Sequence, residues 1–215
     1  MTQMSTSGFD FWMLDLDGTL VDVEESYIQE IVGEVGECVG ASFDAWESEM
    51  LWYGPSEPRA RILQTHGVDR ERFWAAFHEV EEPESRAAAT HLYPDAEAFL
   101  ATVDAPVGLV THCQEYLTGP VLDELDIADW FDTVLCCSEE TGWKPDPEPI
   151  EMAMADLGVG HNGHHGAMVG DDPGDTGAAW NAGLSAIHVS RRDPERIGRC
   201  VRGDRRISSL TELTG

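Results

Sequence analysis

The sequence after Pro94 alternates between short apolar runs and helix-like segments, and this alternation limits the possible folds more than any other feature. Strands that alternate with helices form a parallel sheet with helices on both faces. The runs predict strands at residues 107–110, 133–137, 167–169 and 186–189. Helices are predicted at residues 95–103, 120–125, 148–157 and 176–182. The tail, residues 206–213, suggests a short strand and a closing helix.

An apolar run at residues 11–14 predicts one more buried strand near the N-terminus. The roughly seventy residues that follow have helical character only, which is too long for an ordinary crossover. Apolar residues at i, i+3, i+4 and i+7 predict a helix over residues 24–40, and shorter helices follow it. We therefore expect an α/β fold: a Rossmann-like parallel sheet formed by residues 1–21 and 91–215, with an all-helical subdomain inserted at residues 22–90.

The chain is strongly acidic, with 13 basic and 41 acidic residues among 215 and a net charge of −28 at pH 7. Such a charge repels nucleic acid and anionic membranes, so we exclude both as partners. Twelve of the basic residues are arginine, and the single lysine is Lys144. An acid-rich, lysine-poor composition indicates adaptation to molar salt, where charges are screened. The alternative is an ordinary acidic protein whose coding sequence favours arginine.

The five cysteines show no pairing pattern and no CxxC spacing, which favours reduced thiols in a cytoplasmic protein. The first eight residues lack both the basic residues and the apolar run of a signal peptide. No apolar run approaches the length of a membrane span.

Asp15 and Asp17 follow the first predicted strand directly. Side chains at i and i+2 of an extended segment face the same way, so the two carboxylates can converge. Close carboxylates repel each other, and either a bound cation or a retained proton relieves the repulsion. Taken alone, the pair could equally be a solvated Asp-Gly turn.

Chemically useful side chains also follow the other predicted strands. In a parallel sheet the ligand crevice lies beyond the carboxyl ends of the strands. Those ends supply Thr111 and His112, then the loop that carries Lys144, then the acidic segment 170–175. A nucleophile, an acid/base, a hydroxyl, an ammonium and a divalent-metal site are what phosphoryl transfer requires.

Four motifs in this order resemble those of the haloacid dehalogenase-like superfamily, in its phosphoglycolate phosphatase-like branch. They span nearly the whole chain, and the predicted helical insertion falls where that branch has a cap. The motifs are Asp15-Leu-Asp-Gly-Thr19, Val110-Thr111, Lys144-Pro-Asp-Pro147 and Gly170-Asp-Asp-Pro-Gly-Asp175.

The resemblance implies a catalytic role for each matching residue. Asp15 would be the nucleophile that forms an aspartyl-phosphate, and Asp17 would protonate the leaving oxygen and then activate water. Thr111 and nearby backbone amides would bind the phosphoryl group. Lys144 would neutralise charge on the phosphate and the nucleophile, and Asp175 would position Lys144.

The resemblance also implies a Mg²⁺ site made by Asp15, the backbone carbonyl of Asp17, and Asp171. Gly18 and Thr19 would belong to the substrate-binding loop. The substrate would be a small phosphorylated metabolite.

Two positions depart from the motifs of the branch. Asp172 replaces a common serine, and it either ligates the metal through water or faces solvent. His112 replaces a common asparagine, and we interpret it as a polar neighbour of the substrate phosphate rather than a metal ligand. The run of His161, His164 and His165 is interpreted as a solvated loop rather than a metal site.

A turn at residues 53–56 precedes Arg59 and Arg61 in the predicted insertion. Either arginine could recognise an anionic group of the substrate, and we name Arg61 as the candidate. The alternative, which is the more common use of such residues, is a surface salt bridge.

The sequence therefore predicts a Mg²⁺-dependent phosphatase for a small phosphomonoester such as phosphoglycolate. A β-phosphoglucomutase-like phosphomutase would use the same residues and is the alternative enzyme. A regulatory protein on this fold is disfavoured because every catalytic position is filled. Dehalogenase relatives lack the second aspartate of the first motif, so Asp17 disfavours that activity.

Overall fold

A six-stranded parallel sheet forms the centre of the molecule, with the strand order β5-β4-β1-β6-β7-β8. The structure is a computed structural model and describes residues 8–160, 163–193 and 201–214. The strands of this sheet are β1 (Phe11–Leu14), β4 (Val107–Thr111), β5 (Thr133–Cys136), β6 (Gly166–Gly170), β7 (Ser185–Val189) and β8 (Arg205–Ile207). The predicted α/β class with a parallel sheet is confirmed.

Strand β1 is buried along its whole length because helices cover both faces of the sheet. Its side chains alternate between two cores, as the two-residue period of a strand requires. Trp12 and Leu14 pack into one core with Phe99, whereas Phe11 and Met13 pack into the other. The central strand thus joins two hydrophobic layers and fixes the position of the residues that follow it.

Helices of the α/β part lie between these strands. They are α6 (Pro94–Leu100), α7 (Glu115–Glu124), α8 (Glu148–Asp156) and α9 (Pro173–Asn181), and a 3₁₀ turn at Leu210–Leu213 closes the described chain. The prediction was wrong about the start of α7, which begins five residues before Pro120. Proline favours the first turn of a helix but is tolerated inside one at a cost in hydrogen bonding.

A helical insertion follows β1 and consists of five helices. These are α1 (Glu25–Val39), α2 (Ala45–Tyr53), α3 (Ser56–Thr65), α4 (Arg70–Val80) and α5 (Pro83–Ala88). Their apolar faces form a separate core around Val32, Leu51 and Phe73, each fully buried. The insertion has its own core, although the predicted boundaries, residues 22–90, stay a prediction.

An antiparallel strand pair, which the sequence patterns did not predict, connects the insertion to the sheet. Strand β2 (Val21–Val23) pairs with β3 (Thr90–Leu92), with Asp22 opposite His91. Three-residue strands are too short to show a period of two clearly. The pair brings the chain into and out of the insertion at neighbouring points.

The topology brings three strand ends together at one edge of the sheet. Strand β1 lies between β4 and β6, with Leu14 opposite both Leu109 and Val169. The residues that follow these strands therefore meet at a single point. In the described residues, none of the helices is long and apolar enough to cross a membrane.

Candidate active site

Lys144 lies at the centre of the carboxyl-end crevice and is almost completely buried. Its Nζ lies 2.7 Å from Asp15 Oδ1, 2.7 Å from Asp175 Oδ1 and 2.9 Å from the carbonyl oxygen of Val110. The ammonium group donates hydrogen bonds to Asp15 and to the Val110 carbonyl, and it forms an ion pair with Asp175. Burial alone would lower the pKa of Lys144, but the two carboxylates outweigh burial and raise it. The lysine is therefore a fixed positive charge beside Asp15.

Three buried carboxylates surround the place where Lys144 meets β1. One oxygen from each of Asp15, Asp171 and Asp175 lies within 4.8 Å of the others. Burial raises the pKa of Asp15 well above its usual value, the neighbouring Asp175 and Asp171 raise it further, and Lys144 offsets only part of this. A divalent cation among these oxygens would relieve the repulsion, and carboxylate oxygens are the ligands that Mg²⁺ prefers. The donor set therefore fits the predicted metal, with Asp175 also held by Lys144.

The loop after β1 approaches Asp171 so closely that only glycine fits at position 18. Gly18 has a φ of +76°, and a Cβ there would lie 2.7 Å from Asp171 Oδ2. Its N–H donates to the carbonyl of Val21 at 2.8 Å, so it is already used within the loop. Thr19 is fully buried and its hydroxyl donates to Asp15 Oδ2 at 3.2 Å. Gly18 thus lets the loop approach Asp171, and Thr19 orients Asp15.

Asp172 caps helix α9 in the structure. Its Oδ1 accepts from the N–H of Gly174 at 2.7 Å, while Asp175 Oδ2 accepts from the N–H of Asp172 at 2.9 Å. This reciprocal capping stabilises the first turn of the helix. The cap explains an aspartate at this position without a metal. Asp172 lies outside the group formed by Asp15, Asp171 and Asp175.

Thr111 and His112 both line the crevice, as their place at the end of β4 predicts. His112 Nε2 accepts from the backbone N–H of Lys144 at 3.1 Å, so a neutral ring carries its proton on Nδ1. Burial, followed by the nearby Lys144, lowers the pKa of His112 to about 3. The ring is therefore a neutral hydrogen-bond donor, which suits a polar neighbour of a phosphate.

A cavity of about 480 Å³ opens above these residues, between the sheet edge and the helical insertion. The insertion contributes aromatic side chains to its wall, together with Arg59, whose Nη2 donates to the carbonyl of Trp52 at 2.6 Å. Arg61 lies elsewhere. It is exposed and forms an ion pair with Glu57 one helical turn away. Residues two apart on a helix face opposite sides, so the structure brings Arg59 to the cavity and leaves Arg61 in solvent.

Two residues in the cavity wall were not singled out from the sequence, Arg86 and Glu81. Arg86 forms ion pairs with Asp17 and with Glu81, and its guanidinium lies over the ring of Trp52. Burial raises the pKa of Glu81 to about 7, which Arg86 counteracts and Asp17 reinforces. A signal for Arg86 was present. Between positions 73 and 190 the chain has only two basic residues, Arg86 and Lys144, and both lie in this site.

Five of the predicted residues converge at the sheet edge, namely Asp15, Thr111, Lys144, Asp171 and Asp175. Two more, Asp17 and His112, face the same cavity. His161 and Cys200 lie outside the described residues. His165 is exposed, stacks on Phe9 at 5.0 Å and does not line this cavity.

The strand ends of this parallel α/β sheet supply a buried aspartate, a lysine and a group of acidic side chains. This arrangement is that of hydrolases whose active site is built around an aspartate. The sequence profile described as haloacid dehalogenase-like hydrolase matches residues 12–189. The chain belongs to the haloacid dehalogenase-like hydrolase family, and the resemblance seen in its four motifs is confirmed.

Relatives of this chain include several enzymes named phosphoglycolate phosphatase. The enzyme from Yersinia pseudotuberculosis is 30% identical over an alignment of 193 positions, which covers 82% of this chain and 78% of the relative. The enzyme from Photorhabdus laumondii is 28% identical over an alignment of 192 positions, with the same coverage of 82% and 78%.

Solved structures share the fold at lower identity. A haloacid dehalogenase-like family hydrolase from Streptococcus pneumoniae superposes with a TM-score of 0.75 and 17% identity, covering 96% of this chain and 97% of the other. A subfamily IA hydrolase from Geobacter sulfurreducens gives a TM-score of 0.71 and 16% identity, covering 95% and 97%.

Proposed function

We propose that this protein is a Mg²⁺-dependent phosphatase that hydrolyses a small phosphomonoester, with phosphoglycolate as the first candidate. The observation that carries the proposal is the Asp15–Lys144 pair at 2.7 Å, buried at the base of a cavity that also contains Asp17. The relatives named phosphoglycolate phosphatase support the same reaction class.

In the proposed reaction a carboxylate oxygen of Asp15 attacks phosphorus, and the bond from phosphorus to the leaving oxygen breaks. Lys144 and Thr19 each hold one oxygen of Asp15, so the carboxylate is oriented before the substrate arrives. Asp17 gives a proton to the leaving oxygen. Water then attacks the aspartyl-phosphate, Asp17 takes the proton of that water, and inorganic phosphate leaves.

Mg²⁺ bound by Asp15, Asp171 and the backbone carbonyl of Asp17 would neutralise charge on the transferring phosphoryl group. Asp175 would act mainly through Lys144, with which it forms an ion pair at 2.7 Å. Thr111 and the Nδ1–H of His112 would donate to phosphoryl oxygens. Mg²⁺, Lys144 and the donors of Thr111 and His112 would together offset the repulsion between the phosphate and the carboxylates of the site.

The helical insertion would act as a cap that closes over the cavity and excludes water. The proposed cap comprises residues 22–90. It contributes Arg59 to the cavity, and a positive charge there would attract the carboxylate of phosphoglycolate in an otherwise acidic protein. The cavity volume of about 480 Å³ also suits a small metabolite.

We further propose that the protein works in molar salt and in the cytoplasm. The acidic, lysine-poor composition supports the first point. The four cysteines in the described ranges are free thiols, in keeping with the second.

A matched pair of substrates tests the substrate class. Phosphoglycolate and ethyl phosphate differ in one carboxylate, so the wild type should release inorganic phosphate from phosphoglycolate at least about 10-fold faster in kcat/KM. Asp15→Asn should reduce turnover of both by about 10³-fold or more while the melting temperature is retained. Arg59→Met should erase the preference, and the matched variant Arg61→Met should keep it.

The outcomes separate the proposed activity from its rivals. Isomerisation of a sugar phosphate without net phosphate release would indicate a phosphomutase instead. Normal turnover by Asp15→Asn would refute the assigned nucleophile, and absence of turnover on every phosphomonoester would refute the phosphatase.

A further inference from the structure

Arg86 is one of the largest fully buried side chains in the described protein, with only 1% of its surface exposed. It lies on the short helix α5, where the insertion returns towards the sheet, and it lines the cavity beside Asp17. A buried arginine must have partners, because an unpaired buried charge is very costly. Its partners therefore indicate what it does.

Each nitrogen of the Arg86 guanidinium is matched to a different group. Nη2 donates to Asp17 Oδ1, Nη1 donates to the hydroxyl of Thr90, and Nε lies 3.2 Å from Glu81 Oε1. The ring of Trp52 covers the guanidinium, with its centroid 5.4 Å from Cζ. Thr90, Glu81 and Trp52 of the insertion hold the guanidinium in place, and the guanidinium in turn donates to Asp17.

This arrangement argues against substrate recognition by Arg86. A guanidinium that binds a ligand anion must present N–H groups to it. In Arg86 each of the three nitrogens already faces a protein group, and only 1% of the side chain is exposed, which leaves little of it for a ligand. A purely stabilising role is also a poor explanation, since buried ion pairs often stabilise less than apolar residues of the same volume. Two carboxylates share this single cation, which leaves the cluster short of positive charge.

We propose that Arg86 is a positioning residue that aims the carboxyl group of Asp17 at the leaving oxygen of the substrate. The proposal rests on the phosphatase reaction proposed above. Arg86 ties Asp17 to Trp52 and Glu81 of the insertion, so the proton donor is in place only when the insertion is. Lys144 orients the nucleophile from the sheet, and Arg86 orients the acid/base from the insertion.

The consequence depends on the leaving group. When the bond from phosphorus to an alkoxide oxygen breaks, the oxygen needs the proton of Asp17. When p-nitrophenolate leaves, it is stable without a proton. Loss of a correctly aimed Asp17 should therefore slow phosphorylation of Asp15 by an alkyl phosphate far more than phosphorylation by p-nitrophenyl phosphate.

The test measures phosphorylation of Asp15 by rapid quench with phosphoglycolate and with p-nitrophenyl phosphate. Arg86→Met should slow the step about 10²-fold or more with phosphoglycolate and less than about 10-fold with p-nitrophenyl phosphate, with KM little changed. Arg86→Lys keeps the positive charge but loses the planar guanidinium with its several N–H donors, so it should give an intermediate loss. The matched control is Arg72→Met, because Arg72 is an exposed arginine of the insertion that donates to the carbonyl of Cys38 at 2.9 Å. Its two rates should stay within about 2-fold of wild type.

A double variant shows whether Arg86 acts through Asp17. Adding Arg86→Met to Asp17→Asn should cause no further loss with phosphoglycolate, because the group being positioned is already disabled. If Arg86→Met does not fold, Arg86→Met with Glu81→Gln removes the stranded carboxylate and should show the same substrate selectivity.

Equal losses on both substrates, or losses that add to those of Asp17→Asn, would overturn the positioning role. A wild type that forms no phosphoenzyme with either substrate would instead refute the phosphatase itself. The two failures are therefore distinct.

Discussion

At the scale of single residues, the site is organised by where positive charge is available. Lys144 faces Asp15 and Asp175, and Arg86 faces Asp17 and Glu81, so two buried cations are shared among four carboxylates. Lysine suits the first position because its compact ammonium reaches three acceptors at once, whereas the planar fork of arginine suits the second. Exchanging them would not be conservative.

Asp171 and Asp172 form a matched pair for testing the metal. Magnesium should raise the melting temperature of the wild type by about 5 to 10 °C at a concentration near 100 times Kd. Asp171→Asn should abolish this rise because Asp171 is one of three carboxylates that converge. Without magnesium, the same variant should melt no lower than wild type, since Asp171 repels Asp15. Thermal melts with and without MgCl₂ provide the measurement.

Asp172→Asn should keep the magnesium response, because asparagine caps a helix as well as aspartate does and the side chain of Asp172 is used as a cap. Loss of the response in Asp172→Asn alone would show that Asp172 is the ligand. In that case the geometric grouping of Asp15, Asp171 and Asp175 would not describe the metal site.

At the scale of elements, the turn after β1 is as important as the carboxylates it carries. Gly18 and Gly183 both have a φ of +76°, but a Cβ at Gly183 would meet nothing within 4 Å. Alanine at either position should cost about 1 to 2 kcal/mol for the left-handed backbone. Only Gly18→Ala should also push Asp171 away, and it should weaken magnesium affinity by about 10-fold or more. Melting curves and magnesium titrations compare the two variants.

Equal magnesium affinities in Gly18→Ala and Gly183→Ala would contradict this expectation. The loop would then tolerate a methyl group beside Asp171, and the role of Gly18 would be confined to its backbone conformation.

Prediction from the sequence was most accurate for elements in which the spacing of the apolar residues and the residue composition indicated the same structure. Strand β1 and helix α1 were placed to within a residue because each has a clear apolar pattern. The strand ends were then enough to predict that Asp15, Thr111 and Asp171 meet, since parallel topology brings such ends to one edge. Helix α7 was misplaced because Pro120 resembles a helix start, although it lies inside the helix.

Contacts between the insertion and the sheet could not be predicted in the same way. Arg86 reaches Asp17 across 69 positions in sequence, and no local pattern encodes that approach. The choice between Arg59 and Arg61 depended on which face of α3 meets the cavity, and the turn before that helix did not reveal it. Sequence periodicity describes one element at a time, whereas these residues depend on how two parts of the chain pack.

At the scale of the whole molecule, the net charge governs how stability responds to solution conditions. A charge of −28 on 215 residues destabilises the compact state by self-repulsion. Lys144 and Arg86 are buried in the site, so they neutralise little of the negative charge at the surface. Screening by salt shortens the range of this repulsion from about 10 Å at 0.1 M to about 3 Å at 1 M. Stability should therefore depend on ionic strength.

The melting temperature should rise steeply between 0.1 M and 2 M KCl, by about 2 to 4 °C for each 1 kcal/mol of repulsion removed. Potassium chloride is preferable to sulfate, because sulfate also strengthens apolar burial. Sucrose at matched osmolality is the control, since it is excluded from protein surfaces but screens no charge. A melting temperature that is flat in KCl, or that rises equally in sucrose, would mean that the acidic surface is not an adaptation to salt. A rise confined to KCl would mean that the acidic residues repel one another in the folded state, and that substrate assays at low salt report on a destabilised enzyme.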